Sequence, residues 1–582
     1  MRFLLCMMLL VCTTPRVSGA DRPNVLFIAI DDLNDWIGCL GGHPQTLTPN
    51  LDRLAGSGTF FTNAHCAAPS CNPSRSAILT GRAPNKSGLY DNRQPMREIM
   101  PTATILPQYF RDHGYHASGS GKLLHYFIDA KSWDEYFPAA STENPFPKTF
   151  DPSPRPVNLP RGGPWQYVET DWSALDVTDE QFGGDWSVSK WVGERLQQPQ
   201  DKPFFLACGI YRPHEPWFVP KKYFEPFPLE SVQLPKGYRE NDLEDVPPAG
   251  VRVARNRYFE HIQSQGQWRQ GVQAYLASIH FADAMLGRVL DALENGPNAR
   301  NTIVVLWSDH GWQLGEKEHW QKFTLWRAVT RVPLIIRVPK SISATLPDGT
   351  KVGAKCESPV NLLSLYPTLL ELCGLPAKAD NDGPSLMPLL RDPAQNQVND
   401  KWSHPSVTFL SEPGSYAVST QSHRYIHYAD GGEELYDITV DPYEWKNLAS
   451  DKTFGDLLVE FRRVSPQTFA ERTAPSVDSL VEISWHALKE PSAAPPRSKP
   501  DGNPFDVYFI NQLSTDTELF RVNREGVTES VGIIHAGQRR QQQTRPGEVW
   551  LVAVVGSQPL GYFVVDDRTA RAIIPATASR EK

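Results

Sequence analysis

Asn24-Val25-Leu26-Phe27-Ile28-Ala29-Ile30-Asp31-Asp32 decides the fold. The run from Val25 to Ile30 is apolar throughout and rich in β-formers. It reads as a strand buried on both faces, as in a parallel sheet covered by helices. The strand ends in two adjacent carboxylates, and open α/β sheets place their ligands beyond the carboxyl ends of the strands. Two neighbouring acids repel there unless a cation holds them; taken alone, the pair reads equally as a turn or helix cap.

The pattern recurs downstream. Phe204 to Ile210 is a second apolar run and leads into Tyr211-Arg212-Pro213-His214. Thr302 to Trp307 is a third and leads into Ser308-Asp309-His310-Gly311. An amphipathic segment from Val272 to Glu294, with Tyr275, Ile279, Leu286, Val289, Leu290 and Leu293 on one side, precedes it. Strand, helix and strand in this order predict an α/β class with a large, mixed, mostly parallel sheet between helices. One carboxyl-edge site assembled from distant segments explains three polar strand ends better than three unrelated caps.

A nucleophile lies in Cys71-Asn72-Pro73-Ser74-Arg75, followed by Ser76 to Arg82. Pro73 suits the first turn of a helix, where its missing N–H costs nothing. Cys71 then sits at a helix N-terminus, where free N–H groups and the dipole favour an anion. Arg75, one turn on, can point back to the same spot. A buried cysteine beside a helix cap is the plainer alternative. Lys122 and His125 follow the glycine-flexed Gly119-Ser120-Gly121, within reach of an anion, and Lys322 follows Trp320.

A chain of 582 residues is too long for one ordinary domain. Net charge is −8 without a basic tract, which argues against nucleic acid as a partner. An anionic substrate must therefore be held by a local cationic pocket. Residues 1–20 read as a cleaved signal peptide: Arg2, an apolar core from Phe3 to Val11, and Ser18-Gly19-Ala20 as cleavage site. That core is too short to span a bilayer, and no later run is long enough. The expected location is exported, periplasmic or extracellular. Of the eight cysteines, Cys39, Cys66, Cys71, Cys208, Cys356 and Cys373 follow the leader, with no metal-ligand spacing among them. They read mostly as buried thiols, with one disulfide left open. Asn85-Lys86-Ser87 is a glycosylation sequon, meaningful only in a eukaryotic secretory route.

Residues 21–400 form the expected α/β catalytic unit, with long loops over the site mouth from about Trp133 to Asp185. Residues 401–489 read as a smaller α+β subdomain with an antiparallel sheet. Residues 490–504 are a proline-rich linker. Residues 505–577 consist of short β segments and read as a small all-β sandwich.

The cysteine motif with Thr80-Gly81-Arg82 resembles the signature of the sulfatase family, within the alkaline phosphatase superfamily. The resemblance runs from about Arg22 to Leu448. It is carried by Val25 to Leu33, Cys71 to Arg82, Pro107-Gln108-Tyr109-Phe110, Gly121-Lys122 with His125, and Pro213-His214. Ser308 to Trp312 with Leu314-Gly315-Glu316, Trp320 with Lys322, and Leu435-Tyr436-Asp437 with Asp441-Pro442 and Asn447-Leu448 also match. Within the family the chain is most similar to the iduronate-2-sulfatase branch.

That resemblance implies an exported sulfuric ester hydrolase whose Cys71 is converted to formylglycine. The maturation partner would be a formylglycine-generating enzyme or an anaerobic maturase. Asp31, Asp32, Asp309 and His310 would bind one divalent cation, calcium, beside residue 71. Lys122, His214 and Lys322 would neutralise the sulfate, while Arg75 and His125 would hold the formylglycine hydrate. The substrate class implied is a sulfated, uronic-acid-containing polysaccharide or glycosaminoglycan. The alternatives are a formylglycine phosphonate or phosphate ester hydrolase and a non-catalytic glycan-binding protein.

The C-terminal segment resembles the von Hippel–Lindau β-domain family through Gly537-Gln538-Arg539-Arg540, Gly547 and Trp550-Leu551-Val552. The positions that would grip hydroxyproline carry Glu548, Arg521 and Val531 instead. An accessory or anchoring module for an unknown partner is expected there, with simple stabilising packing as the alternative.

Overall fold

The computed structural model describes residues 22–142, 144–152, 154–160, 170–394, 402–473, 476–488, 493–500, 505–545, 547–565 and 569–578. The signal peptide expected at 1–20, the boundary at 400/401 and both ends of the expected linker lie outside the described residues.

Eight strands build the central sheet: β1 (Asn24–Ile30), β2 (Thr59–Phe61), β3 (His116–Gly121), β4 (Glu135–Phe137), β5 (Phe204–Ile210), β6 (Thr302–Ser308), β7 (Leu334–Arg337) and β8 (Ala354–Cys356). Their order is β8-β2-β7-β6-β1-β5-β3-β4. Only β7 runs against its neighbours, so the sheet is mixed and mostly parallel, as expected.

Every residue of β1, β5 and β6 is buried, because helices cover both faces. Leu26, Ile28 and Ile30 join the core beneath α4 (Asp185–Leu196) and α5 (Trp268–Glu294). Val25, Phe27 and Ala29 join the core formed with α2 (Cys71–Thr80), α3 (Leu106–Asp112) and α6 (Leu365–Leu372). Alternation along a single strand thus serves two cores. The helix expected from Val272 opens a turn earlier, at Trp268. Helix α1 (Pro49–Ser57) starts where the Asp283 carboxylate of α5 accepts from the Asn50 and Leu51 N–H groups.

Register sets up the site. Ile30 lies level with Ile210 on one side and Ser308 on the other. Asp31-Asp32, the 211–214 turn and Asp309-His310 therefore leave the sheet at one edge. Gly121 at the end of β3 has φ +77, and a Cβ there would lie 2.0 Å from the Gly209 carbonyl. Only glycine permits that turn into Lys122.

Downstream, β9 (Ser406–Phe409), β10 (Tyr416–Ser419), β11 (His423–His427) and β12 (Glu433–Asp437) form an antiparallel sheet with α7 (Gly455–Val464) against it. Buried Arg424 ties this sheet to the catalytic unit. It pairs with Glu444 at 3.0 Å and donates to Thr330 Oγ1 at 2.7 Å and to the Leu325 carbonyl.

Residues 505–574 supply two further sheets packed over one core containing Val507, Phe509, Leu519, Trp550 and Phe563. Two short strands that precede the expected linker, Val481–Glu482 and His486–Ala487, pair with 570–571 and 561–562. Strand pairing thus draws residues 481–487 into the sandwich, ahead of the expected boundary at 489. Residues 493–500 carry no regular structure.

The six cysteines among the described residues are free thiols, five of them buried. Asn85 is 9 % exposed and donates to the Thr468 carbonyl, so the sequon is closed to a glycan in the folded chain. Among the described residues no helix is long and apolar enough to cross a membrane.

Arg424→Met should lower the unfolding free energy by about 3–5 kcal/mol, because it leaves Glu444 buried without its charge partner. Urea denaturation followed by tryptophan fluorescence reads this; a loss below about 1 kcal/mol would contradict the role given to the pair.

Candidate active site

Cys71 is the first residue of α2 and is fully buried. Ser70 precedes it in extended conformation without a side-chain cap; the Asn72 N–H donates instead to Asn92 Oδ1 at 2.9 Å, and Pro73 has no N–H to satisfy. Gly81 closes the helix in the left-handed region, its N–H bonded to the Ala77 carbonyl. The thiol lies 3.2 Å from Lys322 Nζ, 3.5 Å from Lys122 Nζ, 3.3 Å from His310 Nε2 and 3.8 Å from Asp31 Oδ1. Burial opposes ionisation of the thiol, but Lys122, Lys322 and His310 overcome it and hold its pKa well below the ordinary value.

Three carboxylates stand around it with three fixed cations. Asp31 takes Lys122 at 2.5 Å and Arg75 at 3.0 Å. Asp32 takes Lys322 at 2.8 Å, and Asp309 takes Arg75 Nε at 2.7 Å. Burial would raise Asp31, but Lys122 and Arg75 keep it well below the usual carboxylate range. Burial and the adjacent Asp31 push Asp32 up to about 7 despite Lys322. Burial also raises Asp309 against the pull of Arg75.

Asp32 Oδ2 is buried without a hydrogen-bond partner among the described residues. Ligand atoms of Asp31, Cys71, Asp309 and His310 lie within 4.8 Å of one another, as do those of Asp31, Asp32, Cys71 and His214. Repelling carboxylates, an orphaned oxygen and a compact oxygen-rich donor set fit a hard divalent cation.

The histidines differ in state. Against the cost of burial, Asp309 and Cys71 raise His310 to about 9; its Nδ1 meets the Gly311 carbonyl at 3.1 Å, and Nε2 faces the carboxylates. A bound cation would displace that proton. Burial, with Lys122 and Lys322, lowers His214 to about 3. Its Nδ1 meets the Glu215 carbonyl at 2.6 Å, and Nε2 points to Asp32 at 3.8 Å. Burial lowers His125 to about 4 although the Cys71 thiol, its hydrogen-bonding neighbour, pulls the other way.

All ten residues singled out from the sequence thus converge on one sheet edge. Arg75 differs from expectation in direction. Its hydrogen bonds go to Asp309, Asp31 and the carbonyls of Lys122 and Leu123, and none goes to Cys71. Three other contributors had no sequence signal. Tyr126 and Tyr211 each present a ring 5.2 Å from Lys122 Nζ. Tyr275, deep in α5, donates its hydroxyl to the Asp32 carbonyl at 2.7 Å and accepts from the Asn34 N–H, pinning the acidic turn in which Asp32 has φ +57.

A nucleophile at a helix N-terminus, a carboxylate cluster suited to a cation and a ring of lysines and histidines for an anion define a hydrolase of charged esters. Comparison with known proteins narrows the class. The sulfatase family model matches residues 23–375, and a model of the N-sulphoglucosamine sulphohydrolase C-terminal region matches residues 315–466. A sulfatase of Formosa agariphila is 41% identical over 466 residues, covering 78% of this chain and 89% of the relative. The mouse iduronate 2-sulfatase is 29% identical over 530 residues, covering 76% and 94%. A solved 2-O glycosaminoglycan sulfatase has the same fold, with a TM-score of 0.57 and 24% identity over 76% of this chain and 91% of its own. The chain belongs to the sulfatase family.

Arg75→Met should destabilise the fold by about 3–5 kcal/mol, since it strips two buried carboxylates of their shared partner. Arg75→Lys should recover only part of this, because an ammonium cannot bridge both carboxylates as the planar fork does. Equal stability of Arg75→Lys and wild type in urea titrations would contradict the bracing role.

Proposed function

We propose that the protein hydrolyses sulfate esters of a uronic-acid-containing, glycosaminoglycan-type polysaccharide, after export, with Cys71 converted to formylglycine and calcium at the carboxylate cluster. The carrying observation is the convergence of Lys122, Lys322, His310 and Asp31 on the buried Cys71 thiol in a sulfatase-family chain. The likeness to the mouse iduronate 2-sulfatase supports the uronate class. Conversion of Cys71 requires a formylglycine-generating enzyme or an anaerobic maturase in the producing cell.

Asp31, Asp32, Asp309 and His310 would hold the cation. When bound, it supplies positive charge that polarises the ester and lowers the pKa of a hydroxyl on residue 71, the nucleophile that formylglycine provides as its hydrate. The protein's own groups do the rest. Arg75 keeps Asp31 and Asp309 in place for the cation. Lys122, Lys322 and His214 neutralise the sulfate oxygens, a charge clamp fixed in advance of the reaction.

Lys322 is a charged donor at the start of the cycle, since Asp32 and Cys71 outweigh its burial and raise its pKa well above the ordinary value. His214 starts neutral, lowered by burial first and then by the two lysines, so its Nε2 can take the proton that the attacking hydroxyl of residue 71 gives up. Lys322 and His214 together then protonate the departing sugar oxygen. His125, neutral and hydrogen-bonded to the side chain of residue 71, takes the proton that residue 71 must lose to release sulfate.

The peptide containing residue 71, from protein made in a maturase-containing host, should weigh less than the thiol form by the loss of one sulfur and two hydrogens against the gain of one oxygen. That protein should cleave 4-nitrophenyl sulfate well ahead of 4-nitrophenyl phosphate, and Cys71→Ser made without a serine-type maturase should fall to background. Full sulfatase activity with an intact thiol would refute the mechanism, and a preference for phosphate would move the protein to the phosphonate and phosphate ester hydrolases.

Exhaustive chelation should abolish turnover and lower Tm, and calcium should restore both. Asp32→Asn and Asp309→Asn should lose the calcium-dependent rise in Tm. Undiminished activity after chelation, with no metal found by elemental analysis, would remove the cation from the reaction.

A further inference from the structure

A cavity of about 250 Å³ reaches Asn72 and His125, neighbours of the fully buried Cys71, but not Cys71 itself. Asn72 and His125 line its inner end, and the loop 92–98 forms its floor. Its outer wall belongs to the C-terminal sandwich: Val481, Phe505 and Thr569. These three stand at the beginnings of neighbouring parallel strands, 481–482, 505–511 and 570–574, so one end of one sheet faces this cavity.

The lining is chemically mixed. Val481 is 52 % exposed, an unusual state for a large aliphatic side chain in a strand, and Phe505 lies beside it in the wall. Thr569 is only 6 % exposed, yet its hydroxyl has no hydrogen-bond partner among the described residues. His125 at the inner end is engaged with the Cys71 thiol and links the cavity to residue 71. Apolar surface next to an unsatisfied hydroxyl suits a sugar ring, which offers C–H faces and hydroxyl edges together.

The loop beneath the cavity is held from both sides. Asn72 donates from Nδ2 to the Gln94 carbonyl at 2.5 Å and to the Asp91 carbonyl at 3.1 Å. From the other side, Gln94 Nε2 donates to the Thr473 carbonyl at 2.8 Å, Arg472 pairs with Asp91, and Arg93 reaches Asp506 of the sandwich at 3.7 Å. The helix bearing residue 71 and the sandwich therefore grip the same loop.

We propose that this cavity is the subsite for the sugar residue bonded to the sulfated one, and that the sandwich is a wall of the substrate cleft. The inference rests on the sulfatase reading above. It makes the natural substrate an oligo- or polysaccharide, because a monosaccharide sulfate leaves the outer wall without contact.

The test compares kcat/KM for a sulfated, uronate-containing tetrasaccharide with that for 4-nitrophenyl sulfate, using the matured full chain. Val481→Trp, which fills the cavity from an exposed position, should lower the tetrasaccharide-to-aryl ratio about tenfold. Thr569→Val, which removes only the hydroxyl, should lower it about threefold. Val527→Trp, at an exposed turn outside the cavity, should keep the wild-type ratio. An unmoved ratio in both cavity variants of an enzyme that cleaves both sulfates, or an equal fall in Val527→Trp, overturns the subsite while leaving the sulfatase reading intact. A wild type that cleaves no sulfate ester overturns that reading, and the subsite with it.

Discussion

Three carboxylates and three permanent cations sit buried at one edge of a mostly parallel sheet, and the molecule is arranged to keep them there. Asp31, Asp32 and Asp309 are fully buried, as are Arg75, Lys122 and Lys322. Each charge is costly to bury alone and tolerable only with its partner in good geometry. The partners come from β1, the residues after β3 and β6, helix α2 and the 319–322 segment, so the cluster can form only when these distant parts are together. The same constraint explains the glycine at 121, the tyrosine hydroxyl on the acidic turn and the aromatic rings around Lys122. Each fixes an ion or shields it without adding charge.

Formal charges of the cluster cancel. A divalent cation alone would leave it with two excess positive charges, and a sulfate dianion alone with two negative ones. Together they restore the balance, so each should favour the other's binding. For a sulfatase such coupling acts most strongly on the product, since a sulfate monoester carries one negative charge and the released sulfate two.

Legibility in the sequence followed burial. Val25 to Ile30, Phe204 to Ile210 and Thr302 to Trp307 are apolar on both faces because both faces are covered, and such runs have few other readings. Their polar ends gave the site, since a charged residue directly after a buried strand needs a reason. Two edge-side strands, Leu334–Arg337 and Ala354–Cys356, carry too few residues to declare themselves; they depend on register with β2 and β6. Arg75 was legible as a site residue but not in its direction, because the carbonyls of Lys122 and Leu123 that help to turn it come from another segment. Tyr126 and Tyr211 looked like loop aromatics. The strand at Val481–Glu482 was hidden by its length, and with it the fact that the sandwich begins before the proline-rich stretch.

Helix α2 carries a further consequence. Its first residue, Cys71, has no accessible surface, and all ten residues of the helix are buried between the sheet and the α6 layer. An enzyme that alters this side chain cannot dock on it once the core has closed. If residue 71 is converted as proposed, maturation and folding compete for the same stretch of chain, and whichever comes first decides the outcome. The share of active molecules in a preparation would then record the kinetics of that race rather than the stability of the finished protein.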